Sequence, residues 1–281
     1  MTEIPFARRL RDQIFRDPKV RQLYAQGDKL SASQTKHDEG HAFQVLKVGR
    51  ALVAEIHRRA PEMIDEYTRE IIIPIALFLH DVGRAIDVDH HAAAGAKWAR
   101  KYLLELGFDI ATVRAICKII ACHRSSVVLK PNSFRAPHYK DAAWAIVVIA
   151  DKAVGDEDRV RPGPLSQLQK LRKQRRISEW NGSPHDLVNY AIKGASLIVD
   201  GREDRKSDPG AIVLKLRTDS LVCSPFDIYD LYRDRFHACG KAAQYLGFLF
   251  RLEFNGVRYA YSKEKQDWVP VTTIPVSGKT R

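Results

Sequence analysis

Apolar residues recur along the first half of the chain at a spacing close to the helical period, punctuated by proline, glycine and residues that favour helix starts. From Asp38 to Arg59, the side chains of Phe43, Leu46, Val48, Leu52, Val53 and Ile56 keep that spacing, and Pro61 ends the segment. A second helix is expected from Pro61 to Asp81 with a bend at Pro74, because proline removes a donor from the helix interior. Further helices are expected from His90 to Leu106, closed by Gly107, from an N-capping Asp109 to His123, and from Asp141 to Asp151. The last carries Trp144, Ile146, Val147 and Ile149.

After this the pattern changes. Between Asp156 and Pro184 charged residues and breakers flank the basic run Lys170 to Arg176, which reads as a connector that also shapes the mouth of a site, its cations on a solvated face. Ala195 to Val199 and Ala211 to Leu216 look like strands joined by the polar loop Gly201 to Gly210, with Ile212, Leu214 and Leu216 in strict alternation. Ser224-Pro225 opens a helix that reaches Leu246 before Gly247. Asn255-Gly256, between Phe248–Phe254 and Val257–Tyr261, is a hairpin signal. The expected fold is mainly α: a helical bundle over residues 1–160, a connector over 161–185, and an α+β portion over 186–281 in which a small antiparallel sheet carries one helix.

Several apolar runs begin or end in a polar residue that can bind metal. Leu77-Phe-Leu closes on His80-Asp81, Ile116 to Cys122 closes on His123, and Ala145 to Ala150 closes on Asp151. His41 and His91 stand near the starts of their helices. An imidazole or carboxylate placed there needs a partner, and one shared centre would satisfy all of them, as helix ends often do. Mixed imidazole and carboxylate donors suit first-row ions such as iron and manganese.

The ordered set His41, His80-Asp81, His91, His123 and Asp151 resembles the HD-domain superfamily of metal-dependent phosphohydrolases over residues 1–155. The likeness is strongest at HDVGR, at HAAAGAKWARKYLLELGF followed by IIACH, and at VVIADK. It implies an HD-domain helical bundle. The two additional histidines imply the subset holding two divalent ions, and the middle block is similar to the symmetric diadenosine tetraphosphate hydrolases. In that reading Asp81 bridges the ions, His41, His80 and Asp151 hold one, His91 and His123 hold the other, and a hydroxide shared by both attacks a phosphodiester or phosphoanhydride bond of a nucleotide-type substrate. The GYP motif of the cyclic-dinucleotide phosphodiesterases is missing, and no Glu-Asp pair follows His80-Asp81 as in alarmone hydrolases. The same order also resembles the mixed-valent diiron oxygenases, and a nucleotide-binding regulator is a third reading.

Cations near the set are candidates for phosphate contact: Arg84 and Lys152 in catalysis, and these two with His37, Arg159 and Arg161 in substrate binding. Ordinary surface charge is the competing reading for each, and for His37-Asp38 a helix cap with Asp38 at the N-terminus. His91 is preferred to His90 because it fits the His-x-x-x-Gly-Ala spacing, while His57, His138, His185 and His237 are left outside the site.

The chain has 281 residues, 45% of them hydrophobic, enough for one large or two small domains. Its net charge of +12 favours polyanions. The charge is spread and lacks interleaved aromatics, so a small nucleotide or short phosphodiester is a better expectation than nucleic acid. No Walker-type or Gly-x-Gly-x-x-Gly loop occurs. Four cysteines without Cys-x-x-Cys spacing read as buried thiols. With no leader-like start and no apolar run of the ~20 residues a membrane helix needs, the expectation is a cytoplasmic protein without a membrane partner. The C-terminal portion would serve as scaffold or as a homodimer surface.

Overall fold

The computed structural model describes residues 3–134, 141–201, 210–262, 264–265 and 267–270. The helices are α1 (Ile4–Ile14), α2 (Pro18–Leu30), α3 (Glu39–Arg59), α4 (Ile73–Leu79), α5 (His91–Glu105), α6 (Ile110–Cys122), α7 (Ser125–Val128), α8 (Ala142–Ala153), α9 (Pro162–Lys173), α10 (Pro184–Ala191) and α11 (Pro225–Tyr245). The strands are β1 (Ile192–Asp200), β2 (Ala211–Thr218), β3 (Leu249–Phe254), β4 (Val257–Ser262) and β5 (Asp267–Pro270). His138 lies outside the described residues.

Helix starts expected from the sequence are capped. The side chains of Asp38, Asp109 and Asp141 accept from backbone amides opening α3, α6 and α8, and Ser224 forms a reciprocal capping box with Asp227 at the start of α11. Helix α4 is buried along its whole length and packs against α3, α6 and α8. Its apolar run is continuous because no face of it meets water.

The single bent helix expected over Pro61 to Asp81 does not form. Residues 61–63 make a 3-10 turn, and Thr68–Ile72 make a π-helical turn that leads into α4. The cause is Pro74, which cannot donate to the carbonyl of Glu70. Ile73 bonds back to Thr68, and the Glu70 carbonyl accepts from Arg11 Nη1 at 2.8 Å instead. Arg11 belongs to α1, which, like α2, the apolar pattern does not reveal.

The sheet order is β1-β2-β3-β4-β5. Three pairings are antiparallel, but β2 and β3 run parallel, with Ala211 opposite Leu249 and Leu216 opposite Phe254. This corrects the expectation of an all-antiparallel sheet. Helix α11 is the crossover between β2 and β3, and a helical crossover brings the chain back in the same direction. At the β3–β4 turn Asn255 and Gly256 both take positive φ, 48° and 88°, as a two-residue hairpin turn demands.

Helix α11 packs on α8 and β3, so the core runs from α4 and α8 through Phe236 and Cys239 to Ile212, Leu214 and Leu252 of the sheet. The segment read as a connector holds α9 and leads into α10, and Leu168 of α9 packs against Val160 and Tyr190. Its basic residues Lys170 and Lys173 are on the outside, and Arg172 pairs with Asp219 at 2.7 Å. All four cysteines are free thiols, and burial pushes that of Cys239 up to about 12. Among the described residues no helix is long and apolar enough to cross a membrane.

Candidate metal centre

Asp81 lies just past the end of α4 and leads into a 3-10 turn over Val82–Ala85. That turn lets α5 approach very closely. A Cβ on Gly83 would lie 2.0 Å from the carbonyl oxygen of His91 and 2.3 Å from the nitrogen of Gly95. The glycines of His80-Asp-Val-Gly83 and His91-Ala-Ala-Ala-Gly95 therefore bring two backbones into contact and set His91 beside Asp81.

The carboxylate of Asp81 is the hub. Its Oδ2 is 3.5 Å from His80 Nε2, while its Oδ1 is 3.3 Å from His91 Nε2 and 3.7 Å from His123 Nε2. Asp151 Oδ1, at the end of α8, is 3.5 Å from His80 Nε2 and 3.9 Å from His41 Nε2. Two groups could thus hold metal, His41 with His80 and Asp81, and Asp81 with His91 and His123. All six residues expected as ligands meet in one place, and His90, the rival of His91, is exposed and pairs with Asp87.

The histidines are oriented for ligation. Nδ1 of His80, His91 and His123 lies 2.8, 2.9 and 2.7 Å from the carbonyls of Leu77, Val88 and Ile120, each three residues earlier. A carbonyl only accepts, so each Nδ1 carries a proton and each Nε2 is turned toward the Asp81 carboxylate. Nε2 of His80 is fully buried with no hydrogen-bond partner, which is how a ligand atom looks when its partner is a cation. The donors present therefore fit a metal ion of the kind imidazole and carboxylate prefer. His41 differs, because Arg159 Nη1 sits 2.9 Å from its Nδ1 and 3.1 Å from its Nε2. An ion and this guanidinium would compete for the same lone pair.

Electrostatics sharpen the picture. Burial opposes charge on Asp81, yet Arg84 and His80 hold its carboxyl well below the usual range; Lys152 does the same for Asp151. Burial draws His123 down to about 3 and also lowers His91, leaving both neutral and able to bind metal at physiological pH. Burial pulls His80 down too, but Asp81 and Asp151 overcome it and hold its pKa above the ordinary histidine value.

A cleft of about 580 Å³ opens on this centre. Lys152 lines it, pairing with Asp151 at 2.9 Å and donating to the His123 carbonyl at 3.0 Å. Arg84 lies 3.2 Å from Asp81 and donates to Gln34 at 3.0 Å. His37 lines the cleft and accepts at Nε2 from Arg159 at 2.8 Å, while its neighbour Asp38 caps α3. The cap and the inward-facing imidazole, posed as alternatives, are divided between the two residues.

Arg161 departs from expectation. It does not line the cleft; its guanidinium bonds Asp28 through Nη1 and Nη2 at 3.0 and 2.9 Å and donates to the carbonyls of Asp28, Ser31 and Gln34. Its bonds hold the loop that carries Gln34 and His37. Arg161→Ala is expected to lower stability by roughly 2 kcal/mol with little change in KM, and thermal unfolding beside steady-state kinetics checks both. A raised KM at unchanged stability would restore the role in binding.

The sequence reading missed Gln34, Arg124, Asn189, Tyr232 and Arg235, all of which line the cleft, and set aside His185, which lines it too. A polar residue in an amphipathic helix or a loop carries no local mark of what it faces, so no motif could have found them.

Fold and site together define a mainly helical protein with a buried His/Asp cluster able to hold metal. Residues 39–159, from α3 through α8, match the family model of the HD domain. No curated protein matches the chain. The matched stretch contains His41, His80, Asp81, His91, His123 and Asp151, and leaves out His37, Arg161 and everything from α9 onward.

Proposed function

We propose that this protein is a metal-dependent phosphohydrolase that cleaves a phosphodiester or phosphoanhydride bond of a nucleotide-type substrate, using two divalent ions, iron or manganese. The HD domain is typically a metal-dependent hydrolase. The observation that carries the two-ion reading is the split allegiance of Asp81, whose oxygens face separate histidine groups. His41, His80 and Asp151 would hold one ion and His91 and His123 the other, with Asp81 between.

Ions at these residues would supply an activated water at neutral pH and positive charge for the attacking and leaving oxygens. The protein's own groups do the rest. Among the described residues five cationic side chains line the cleft, Arg84, Arg124, Lys152, Arg159 and Arg235, against two carboxylates, Asp81 and Asp151, a balance that suits a substrate with several negative charges. Lys152 holds Asp151 in its orientation and neutralises charge beside the reacting phosphate, and Arg84 does the same from the Asp81 side. His37, its pKa lowered by burial and by Arg159, is a neutral contact at the cleft wall.

The test is metal analysis of protein purified without added metal, followed by a panel of nucleoside mono-, di- and triphosphates, dinucleoside polyphosphates and cyclic dinucleotides with Fe²⁺ or Mn²⁺. Release of phosphate or nucleotide that a chelator abolishes is expected. Oxygen uptake by the reduced-iron protein without hydrolysis would overturn the proposal in favour of oxygenase chemistry. Thermal stabilisation by a nucleotide without product would overturn it in favour of a regulator.

A further inference from the structure

Two guanidinium groups stand on one side of the cleft with no carboxylate between them. Arg159 is 7% exposed, donates to His37 and His41, and leaves its Nε without a partner. Arg235, from α11, donates Nη2 to the carbonyls of Lys152 and Val154 at 3.1 and 3.2 Å. Among the described residues neither ion-pairs with a carboxylate. Like charges in a partly dry site cost free energy unless an anion joins them. Asp81 and Asp151, the only carboxylates among the described residues lining the cleft, are engaged by Arg84, Lys152 and the histidines.

The wall that carries Arg235 is built for this placement. Helix α11 leaves helical geometry at Tyr232, with φ −106° and ψ 16°, one turn before Arg235. The Tyr232 ring is buried, its hydroxyl donates to Asn189 Oδ1 of α10 at 2.7 Å, and the Arg235 guanidinium lies 4.3 Å over its face. His185, also on α10, sets its ring 5.8 Å from that of Tyr232 at the mouth of the cleft.

We infer that Arg159, Arg235 and His185 form an anion subsite on the wall contributed by α10 and α11, which holds a second phosphate group of the substrate. This rests on the phosphohydrolase reading. The phosphate in the subsite is the one that is not attacked, and the subsite selects compounds with at least two phosphates over those with one. Guanidinium groups suit the task because they bind phosphate oxygens in pairs. The C-terminal portion is then a specificity wall as well as a scaffold.

The test titrates inorganic pyrophosphate into the protein as purified, with its metal content measured, and into Arg235→Gln and Arg235→Lys. Arg235→Gln is expected to weaken pyrophosphate binding at least about tenfold, and Arg235→Lys about threefold, because it keeps the charge and loses the fork. Both should retain the parent's metal content. If Arg235→Gln fails to fold, Arg235→Lys carries the test, and unchanged affinity in it overturns the subsite. Turnover gives a second readout: the ratio of kcat/KM for a nucleoside diphosphate to that for bis(p-nitrophenyl) phosphate, which has one phosphate, should fall at least about tenfold in Arg235→Gln. A parallel loss on both substrates would mean a merely structural residue. Active wild-type protein whose selectivity ignores Arg235 would sink the subsite alone; Arg235-dependent pyrophosphate binding by a protein that cleaves no nucleotide would sink the hydrolase reading alone.

Discussion

Replacing Asp81 by Asn is expected to strip metal from both histidine groups and to lower turnover at least about 10³-fold, roughly 4 kcal/mol of lost transition-state stabilisation. The reason is its place in the geometry. Oδ2 belongs with His80, and Oδ1 belongs with His91 and His123. An amide of the same shape removes the negative charge that attracts a cation to either side, and its NH₂ cannot donate a lone pair to an ion. His91→Ala, in contrast, takes one donor from one group and is expected to leave the His41–His80 side loaded. Metal content by elemental analysis, set beside activity, separates the two variants. Equal metal content in Asp81→Asn and wild type would show that Asp81 bridges nothing.

The gathering of the His and Asp side chains was legible because burial and polarity conflict at those positions. His80 follows seven residues of α4 that are all buried, and Asp151 follows an equally dry stretch of α8. Such residues must find a partner, so an ordered series of them points to a centre even before the fold is known. The capped starts of α3, α6, α8 and α11 were legible for a local reason as well, since a cap is formed by residues adjacent in sequence.

What stayed hidden depends on contacts distant in sequence. Helix α1 shows Ala7, Leu10 and Ile14 buried at helical spacing, but the arginines between them made the stretch read as charge. Arg11 serves a carbonyl released by Pro74, a pairing no local pattern encodes. The parallel β2–β3 pair follows from α11 lying between them, yet strand alternation says nothing of direction. The cleft wall of Asn189, Tyr232 and Arg235 is assembled by packing α10 and α11 beside the helical half of the chain, and its residues carry no spacing of their own. Arg161 and Arg159, two positions apart, have opposite fates because one points at Asp28 and the other at His37 and His41.

Gly83→Ala should be as damaging as loss of a ligand, although the methyl it adds has no chemistry. The new Cβ would sit 2.0 Å from the His91 carbonyl oxygen, 2.3 Å from the Gly95 nitrogen and 2.8 Å from the Gly95 Cα. All three are backbone atoms at the start of α5, so no rotamer change can relieve the overlap, and the helix or the 3-10 turn must move. Overpacking of this kind costs about 3 kcal/mol or more, which for a chain of this size lowers Tm by roughly 6 °C or more. The movement also carries His91 away from Asp81 Oδ1, and the His91–His123 group opens while His41, His80 and Asp151, held by α3, α4 and α8, keep their places. Gly83→Ala is therefore expected to melt earlier and to lose metal from one group only. Gly107→Ala is the informative contrast: that glycine has φ +95°, and a Cβ added there would meet nothing within 4 Å, so its strain is local. It should lose about 1–2 kcal/mol and no metal. Metal content and melting temperature measured on both variants separate a steric lock at the centre from a general fall in stability.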